Sequence, residues 1–477
     1  MLSCNTKNMK ITVENVAPKG AVRVIFDEDA QASFFREKNG QQEIVLKVAK
    51  RKELTRRKWF ILVREAVTLA QKHHLSHIVL DWGSLTSFPI LKKDSIETLA
   101  VLTGENLLLA GYTFNHYKKK EKESYRGLSK VTLLVEGEVI SLVKKGLSRG
   151  VVHGEYINWY RNLANIPGND MTPRLLAGAV KKAVAEAKNP KLSLKILSQK
   201  EIERLGMGGV LAVGKGSKEE SQFIELIYRG GKKSEAPIVL VGKGVTFDSG
   251  GIDTKPHPYA LDMMMDMSGG GSVLATTLIS ARLGLKRNLV ALVPAVENMP
   301  GGESFRPGDV ITMLDGTTVE IGHTDAEGRL ILGDAITYAK RFKPAGVLDV
   351  ATLTGAAGVA LGERATALFT RDDKQAEKIL HAGEVTGDVA WRLPLWEEYE
   401  SEIVGNVADI SNVRTKGRDG VGGAITAATF LYHFGKVHPW FVHLDMAPTM
   451  TSVFDENLAK GAKGSPVRLL VEWLEKL

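Results

Sequence analysis

The spacing at which hydrophobic residues recur changes several times along the first 150 positions. Segments rich in Val and Ile are typical of β-strands, and they lie at 11–16, 21–26, 43–50, 77–82 and 130–136. At 56–74 the apolar residues instead recur at helical spacing, which predicts an amphipathic helix. Strands and helices that alternate in this way indicate an α/β domain.

From residue 171 onward the alternation is more regular. The pattern predicts helices at 172–189, 199–206, 269–284 and 327–342. It predicts strands at 192–198, 222–230, 236–247, 288–298 and 346–355. Thr172 suits the N-cap of the first helix, with Pro173 at its first position. The segment 236–247 is almost entirely apolar, as a buried parallel strand would be.

The fold class expected from this pattern is α/β with two domains. A smaller N-terminal α/β domain occupies 1–150, and a larger C-terminal α/β domain with a mostly parallel central sheet occupies 171–477. A connecting helix and turn fill 151–170, with the helix at about 152–165. Functional residues are expected where the strands of the larger sheet end.

Length and composition narrow the class of protein. A chain of 477 residues with 44% hydrophobic and 25% charged residues fits a soluble, globular protein of two or three domains. It has no apolar run of about 18 residues, and its N-terminus lacks the apolar region of a secretory signal, so we expect a cytoplasmic protein. Cys4 is the only cysteine, which excludes an internal disulfide and a cysteine metal cage.

Positive charge is concentrated in the N-terminal third. The chain carries a net +8, but residues 1–150 contain 26 Lys and Arg against 16 Asp and Glu, whereas the remainder contains 37 against 39. Part of this excess lies in a predicted charged loop or hairpin at 115–127. Such an excess can indicate an anionic partner such as nucleic acid. A solvated surface is the preferred explanation, because no basic motif here is interleaved with aromatic residues.

One glycine-rich segment imitates a phosphate-binding loop. The stretch GVLAVGKGS at 209–217 nearly matches the pattern G-x-x-x-x-G-K-[ST]. Position 216 is glycine, so the hydroxyl that would hold Mg²⁺ is missing. A glycine-rich connection between elements is the better interpretation.

A charged segment follows the most apolar strand of the chain. In VGKGVTFDSGGIDTKP, at 241–256, Lys243 is followed by Asp248 and then by Lys255. Charge at the end of a buried strand is costly unless it is paired or bound to a metal. The alternative is a surface loop with scattered charges.

Three further acidic residues lie near predicted helix starts. Asp266 stands among methionines ahead of the helix at 269–284, where it could also be a simple N-cap. In IGHTDAEGRLILGDA, Asp325, Glu327 and Arg329 occupy alternate positions, and in an extended segment such residues face the same side. Taken alone, the two acids could be an exposed acidic edge.

Together with Asp248, these acids suit a pair of metal ions. Four carboxylates carry a charge of −4, which two divalent cations would balance. Carboxylate oxygens suit Mg²⁺ and Mn²⁺, and Zn²⁺ also accepts them. The chain has no H-E-x-x-H, no Cys/His cluster and no G-x-S-x-G nucleophile motif that would favour another hydrolytic centre.

Two of these segments carry a family resemblance. TDAEGRL at 324–330 and VGKGVTFDSGG at 241–251 resemble the leucyl aminopeptidase family, the M17 cytosol aminopeptidases. Further matches are NIPGNDMTP, DVATLTGA, GAITAATFL and HLDMA, which begin at 165, 349, 423 and 443. The similarity covers about 156–477, whereas the N-terminal third matches only in general layout.

The resemblance implies a set of site residues. The metal ligands would be Lys243, Asp248, Asp266, Asp325 and Glu327. The family's lysine ligand binds as a neutral amine, which requires a depressed pKa. Lys255 would stabilise the oxyanion, and Arg329 would hold a bicarbonate that acts as general base on a metal-bridging water.

The resemblance also implies a pocket for the N-terminal side chain of a substrate. The matching residues are small or flexible and apolar, or adjoin such residues, which fits leucine or methionine: Met263, Thr352, Leu353, Gly355, Ala447 and Met450. Ordinary core packing would explain each of them singly. The chain departs from the family pattern at His323, Met264 and Pro448, where Asn, Lys and Gly are usual.

The function expected is hydrolysis of N-terminal, preferably apolar, residues from peptides. The resemblance implies two divalent cations per subunit, Mn²⁺ or Zn²⁺ or else Mg²⁺, and a homohexamer. An additional nucleic-acid-binding role through the basic N-terminal domain is the alternative from another class. A narrow dipeptidase is the alternative within hydrolysis.

Overall fold

The computed structural model describes residues 9–118, 127–418 and 420–477. It divides into two compact units. The first comprises the described residues of Met1–Trp159 together with Ser452–Lys460, and the second comprises Tyr160–Thr451 and Gly461–Leu477. Most of the charged segment predicted at 115–127 lies outside the described residues.

In its described part, the first unit contains a six-stranded sheet. Its strands are β1 (Lys10–Glu14), β2 (Val22–Asp27), β3 (Phe34–Lys38), β4 (Gln41–Lys47), β5 (His77–Asp81) and β6 (Lys130–Leu134). Their order is β1-β6-β5-β2-β4-β3, and each pair is parallel except β3 with β4. The sequence did not predict β3, because Arg36, Glu37 and Lys38 give it no apolar alternation.

The helices of the first unit pack apolar faces together. They are α1 (Arg56–Lys72), α2 (Trp82–Thr86), α3 (Ile96–Gly111) and α4 (Ile140–Ala164). Thr55 caps α1 by accepting the Lys58 N–H. Trp59, Val63 and Val67, four positions apart, are fully buried in the core of this unit, and α1 packs against α3. Burial of each such side chain stabilises the fold by about 1.5–3 kcal/mol.

Helix α4 begins twelve residues before the predicted start at about 152. The glycines at 146 and 150 argue against a helix by propensity. In the structure they allow close packing against α3, because a Cβ at Gly146 would lie 2.3 Å from the Glu97 carbonyl oxygen and one at Gly150 would lie 2.2 Å from that of Val101. The division between the two units falls within this helix.

The second unit is built on a larger sheet that has nine strands among the described residues. These are β7 (Leu192–Leu197), β8 (Gln222–Arg229), β9 (Ile238–Gly242), β10 (Gly244–Asp248), β11 (Asn288–Asn298), β14 (Gly346–Ala351), β15 (Thr366–Phe369), β16 (Ala390–Arg392) and β18 (Phe441–Asp445). Their order is β16-β15-β18-β14-β9-β11-β8-β7, with β10 also on β11. The central strands β18, β14, β9 and β11 are parallel, which confirms the predicted α/β class.

Smaller elements complete this unit. A separate sheet joins β12 (Val310–Thr312), β13 (Thr318–Glu320) and β17 (Ile410–Ser411). The helices are α5 (Pro173–Ala187), α6 (Gln199–Leu205), α7 (Gly208–Gly214), α8 (Ser268–Leu283), α9 (Gly328–Tyr338), α10 (Gly355–Leu361), α11 (Asp373–Thr386), α12 (Gly423–Gly435) and α13 (Val467–Lys476). Thr172 caps α5 with Pro173 at its first position, as predicted. Within the described ranges, no helix is both long enough and apolar enough to span a membrane.

Two local predictions need correction. The segment 236–247 forms two strands, because the extended strand is interrupted at Lys243. Both pair with β11: β9 with Leu289–Leu292, and β10 with residues from Ala295 to Asn298. The glycine-rich segment at 209–217 is mainly helix α7 and not the predicted connection between elements.

A buried carboxylate fixes α7 to α9. Asp334, within α9, is fully buried. Its Oδ2 accepts the Val210 N–H at 3.0 Å, and its Oδ1 accepts the Leu314 N–H at 2.8 Å. One side chain therefore satisfies backbone donors from two other segments of the unit.

Replacing this carboxylate should destabilise the second unit. Asp334→Ala leaves the buried N–H of Val210 and the partly buried N–H of Leu314 without acceptors, so we expect a loss of about 2–4 kcal/mol in the free energy of unfolding. Urea denaturation followed by tryptophan fluorescence measures it. Asp309→Asn, which alters an exposed ion pair with Arg306, is the control and should change the free energy by less than about 1 kcal/mol. Equal effects of the two changes would contradict this account.

Candidate metal centre

Lys243 lies at the break between β9 and β10. Its backbone N–H donates to the Val350 carbonyl at 3.0 Å, and its carbonyl accepts the Gly270 N–H at 2.7 Å. The side chain is buried, and Nζ lies 2.8 Å from Asp266 Oδ2 and 2.7 Å from Glu327 Oε1. The predicted polar residue at the end of an apolar strand is therefore an internal ammonium between two carboxylates.

Asp248 and Asp266 are held by side chains from neighbouring strands. Asp248 ends β10, and its Oδ1 accepts the Asn298 amide N–H at 2.9 Å from the end of β11. Asp266 follows the 3-10 turn Met263–Met265, and its Oδ1 accepts the Thr352 hydroxyl at 2.6 Å. Both carboxylates are buried, so neither is an exposed charge or only a helix cap.

Asp325 and Glu327 do not lie in an extended segment, and that interpretation was wrong. Asp325 lies in a turn, and Glu327 is the N-cap of α9 with helical backbone angles. The turn nevertheless brings them together with Asp248: one carboxylate oxygen from each of the three lies within 4.8 Å of the others. Arg329 belongs to the first turn of α9 and not to the same face of a strand.

The first turn of α9 approaches Lys243 because position 328 is glycine. A Cβ at Gly328 would lie 2.6 Å from Lys243 Cε. The apolar residues that follow, Leu330, Ile331 and Leu332, are fully buried in the core of this unit. Burial of this helix therefore fixes Glu327 and Arg329 at the site.

Lys255 supplies the second ammonium. Its Nζ lies 2.8 Å from Asp248 Oδ2 and also pairs with Asp325 Oδ1. Burial disfavours its charged form, but the carboxylates of Asp248, Glu327 and Asp325 outweigh burial and raise the pKa of Lys255. Lys255 is therefore a protonated hydrogen-bond donor at neutral pH.

Charge balance also sets the protonation of the innermost groups. Burial disfavours charge on Lys243, yet the carboxylates of Asp266, Glu327 and Asp248 prevail and raise the pKa of its ammonium. Burial and the proximity of Asp248 raise the pKa of Glu327 and that of Asp325. The resemblance implies a depressed pKa for Lys243. That depressed pKa belongs to the cation-bound site, where adjacent cations disfavour the ammonium; without them the ammonium itself supplies the positive charge that these acids require.

Arg329 is held beside the acids with part of its guanidinium unused. Its Nη1 donates to the Asn412 carbonyl at 2.6 Å. Its buried Nε has no hydrogen-bond partner among the described residues. Burial lowers the pKa of Arg329 to about 10, so it remains positively charged at neutral pH. A buried cation with a free donor suits a small anion.

The residues predicted to line a pocket lie in three segments. These segments contain Met263, then Thr352, Leu353 and Gly355, and then Ala447 and Met450. Met263 opens the 3-10 turn before Asp266, and Thr352 follows β14. Helix α10, which starts at Gly355, packs against the 3-10 turn Ala447–Thr449. The last two segments are therefore neighbours.

The three departures from the family pattern have distinct positions. His323 is half exposed, and its Nδ1 accepts the Asp325 N–H at 3.1 Å, so it supports the turn that carries Asp325. Met264 is partly buried in the 3-10 turn before Asp266. Pro448 is buried in the turn after β18.

Sequence reasoning missed two asparagines and one aspartate that support the site. The amide of Asn298 donates to Asp248 and to the Thr324 carbonyl at 3.2 Å. Asn412 donates through Nδ2 to the His323 carbonyl at 2.7 Å and presents its own carbonyl to Arg329. Asp445 joins two loops at the ends of β14 and β18. Their only signal is a polar residue that ends or follows an apolar strand.

The donor set fits divalent cations. Carboxylates of Asp248, Asp325 and Glu327 already converge, and Asp266 lies across Lys243 from Glu327. Clustered carboxylate oxygens are the ligands that Mg²⁺ and Mn²⁺ prefer, and Zn²⁺ accepts them. Lys243 offers an amine nitrogen in the same place once it loses its proton.

Comparison with known proteins decides the family. Residues 158–471 match the model of the catalytic domain of the cytosol aminopeptidase family, M17. The chain belongs to this family. A probable cytosol aminopeptidase of Aromatoleum aromaticum is 43% identical over 438 residues, which cover 91% of this chain and 84% of that one. One of Paraburkholderia phymatum is 46% identical over 363 residues, which cover 76% and 70%.

Solved structures agree with the family assignment over nearly the whole chain. The bottromycin maturation enzyme BotP in complex with Mn superposes with a TM-score of 0.82 at 29% identity, covering 95% of this chain and 99% of that one. A second structure of BotP gives 0.81 at 30% identity, covering 95% and 98%. Membership of the cytosol aminopeptidase family confirms the resemblance noted in the sequence, and the chain is an aminopeptidase of the leucyl aminopeptidase type.

Asn298 gives a test of how the site is supported. Asn298→Ala removes the donor that orients Asp248 and that ties β11 to the turn before Asp325. We expect the dissociation constant for Mn²⁺, measured by calorimetry on the metal-free protein, to rise about 10–100-fold.

The matched control lies at the other end of the same strand. Asn288→Ala removes hydrogen bonds to the Lys232 and Glu235 carbonyls, far along β11 from Asp248. It should leave Mn²⁺ affinity unchanged. If Asn298→Ala binds Mn²⁺ as tightly as the control does, Asn298 does not position the site.

Proposed function

We propose that this aminopeptidase is metal-dependent and removes N-terminal residues, preferably apolar ones such as leucine, from peptides. The observation that carries the proposal is the buried convergence of acids around Lys243 and Lys255 at the ends of the central strands. The proposed ligands of two divalent cations are Lys243, Asp248, Asp266, Asp325 and Glu327. Burying several carboxylates together does not stabilise the fold by itself. Such a cluster of carboxylates is the arrangement that cation binding requires.

The chemistry divides between the cations and two basic side chains. Two divalent cations bound there would polarise the scissile carbonyl and supply a hydroxide nucleophile at neutral pH. Lys255, protonated and 15% exposed, can donate a hydrogen bond to the oxyanion that forms at that carbonyl. Asp248 and Asp325 hold its ammonium in position.

Arg329 is proposed to bind the general base. Its Nε is a buried donor, and its Nη1 is fixed by the Asn412 carbonyl, so the guanidinium is oriented before any anion arrives. A bicarbonate held there would accept a proton from the attacking water. Bicarbonate suits this place because a planar anion matches the planar guanidinium.

The apolar preference rests on the segments that adjoin the acids. Thr352 contacts Asp266 through its hydroxyl and Lys243 through its carbonyl, so the 352–355 loop begins at the proposed metal ligands. The loop continues to Leu353 and Gly355 and lies beside the turn that contains Ala447. Met263 and Met450 add flexible apolar surface, which suits leucine or methionine.

Several further assignments are proposals that rest on the sequence pattern or, for the oligomer, on the family. They are a homohexamer, a cytoplasmic location and the division into an N-terminal domain at 1–150, a connector at 151–170 and a catalytic domain at 171–477. Mn²⁺ is the first cation to test, because the structurally similar BotP has been solved in complex with Mn.

The ligand assignment is tested by two neighbouring aspartates. Asp266→Asn removes a buried charge beside Lys243, and we expect hydrolysis of leucine amide to fall more than about 100-fold with loss of bound Mn²⁺. The control is Asp262→Asn, an exposed residue one turn earlier, which should retain both. Retention of more than about a tenth of the activity by Asp266→Asn, with the control normal, would refute the ligand role.

The role of Arg329 is tested by adding bicarbonate to carbon-dioxide-depleted enzyme. We expect the wild-type rate to rise, because a general base contributes about 100-fold or more. Arg329→Ala should be slow and should not respond, whereas Arg306→Ala, at an exposed arginine, should respond like the wild type. A normal bicarbonate response in Arg329→Ala would show that the anion binds elsewhere or is not used.

A further inference from the structure

Two parallel strands deliver the loops that adjoin the proposed substrate pocket. In the pairing of β14 with β18, Ala351 stands opposite Asp445. The loops that follow therefore leave the sheet at the same level. One contains Leu353 and Gly355, and the other contains Ala447.

The carboxylate of Asp445 joins these two loops. Its Oδ1 accepts backbone N–H groups of Leu353 at 3.1 Å, of Thr354 at 3.4 Å and of Ala447 at 3.2 Å. Its Oδ2 accepts the Thr354 hydroxyl at 2.7 Å. The side chain is fully buried and, among the described residues, forms no ion pair, so backbone and hydroxyl donors satisfy it.

The hydroxyl of Thr354 extends this link into α10. While its O–H donates to Asp445, Thr354 Oγ1 accepts the Ala357 N–H at 3.1 Å as the N-cap of α10. Gly355, the first residue of that helix, is thus placed through Thr354. Because α10 packs against the turn that begins at Ala447, Asp445 holds both sides of one contact.

We propose that Asp445 is a specificity-determining positioning residue. It sets the distance between the 352–355 loop and the 447–450 loop, and so the width of the pocket that receives the N-terminal side chain of the peptide. This rests on the proposed function. The hydrogen bonds of Asp445 reach loops and none of the five proposed ligands, so its removal alters discrimination between side chains more than cation binding.

The test compares substrates of different width in the full-length, Mn²⁺-loaded protein. We measure kcat and KM for the p-nitroanilides of leucine and alanine. In Asp445→Ala the ratio of kcat/KM for the leucine anilide to that for the alanine anilide should fall about tenfold. The fall should come mainly from a higher KM for leucine, because a looser pocket loses contact with the larger side chain. The Mn²⁺ content per chain should match that of the wild type.

The conservative variant separates positioning from simple loss of packing. In Asp445→Asn the side-chain oxygen can still accept the three N–H groups, and the amide can donate to the Thr354 hydroxyl. This variant should keep the leucine preference within about threefold of the wild type, since these are weaker, uncharged hydrogen bonds. A wild-type preference in Asp445→Ala would overturn the proposal.

A second pair of variants covers the case in which Asp445→Ala does not fold. Thr354→Val removes both the hydroxyl link to Asp445 and the acceptor that caps α10, and it should narrow the preference in the same direction, whereas Thr354→Ser should retain it. An unchanged preference in Thr354→Val would also overturn the proposal. If the wild type hydrolyses neither anilide, the proposed function fails and takes this proposal with it; hydrolysis with an unchanged preference refutes the positioning role alone.

Discussion

Neutralisation of buried negative charge governs the architecture around the site. Asp248, Asp266 and Glu327 are almost fully buried, and carboxylates in that position are stable only beside positive charge and hydrogen-bond donors. Lys243 lies between two of them at 2.7 and 2.8 Å. The break between β9 and β10, the glycine at the start of α9 and the buried apolar residues at 330–332 together allow this ammonium to lie among the acids.

The sheet supplies the order on which that arrangement depends. Parallel strands end at one edge, so residues that are distant in sequence, such as Lys243, Asn298, Thr352 and Asp445, meet there. Their side chains then bind the turns that follow neighbouring strands. The loops carry many of the functional side chains, but the strands set the distances between the loops, because burial on both faces fixes the register of the strands.

Much of this was predictable, for identifiable reasons. Apolar runs predicted the strands of the large sheet up to β14, but not β15, β16 or β18. Charge next to a buried strand singled out Lys243 and Asp248, whereas Asp266, Asp325 and Glu327 were noted near helix starts and assigned as ligands by the family resemblance. The start of α4 was not predictable, since its glycines oppose helix formation locally and are favoured only by contact with α3. The turn at Asp325 was not predictable either, because charged residues also alternate in sequence where a turn leads into a helix. Asn298 and Asp445 act through hydrogen bonds to distant segments, which no local pattern records.

The central claim is that the buried acids form a cation-dependent hydrolytic centre. The most direct measurement is hydrolysis of leucine p-nitroanilide by the full-length protein, first after chelation and then with Mn²⁺, Zn²⁺ or Mg²⁺ restored. We predict that activity disappears on chelation and returns with at least one of these cations. Activity that survives complete removal of metal, or a folded protein that none of the cations activates, would contradict it.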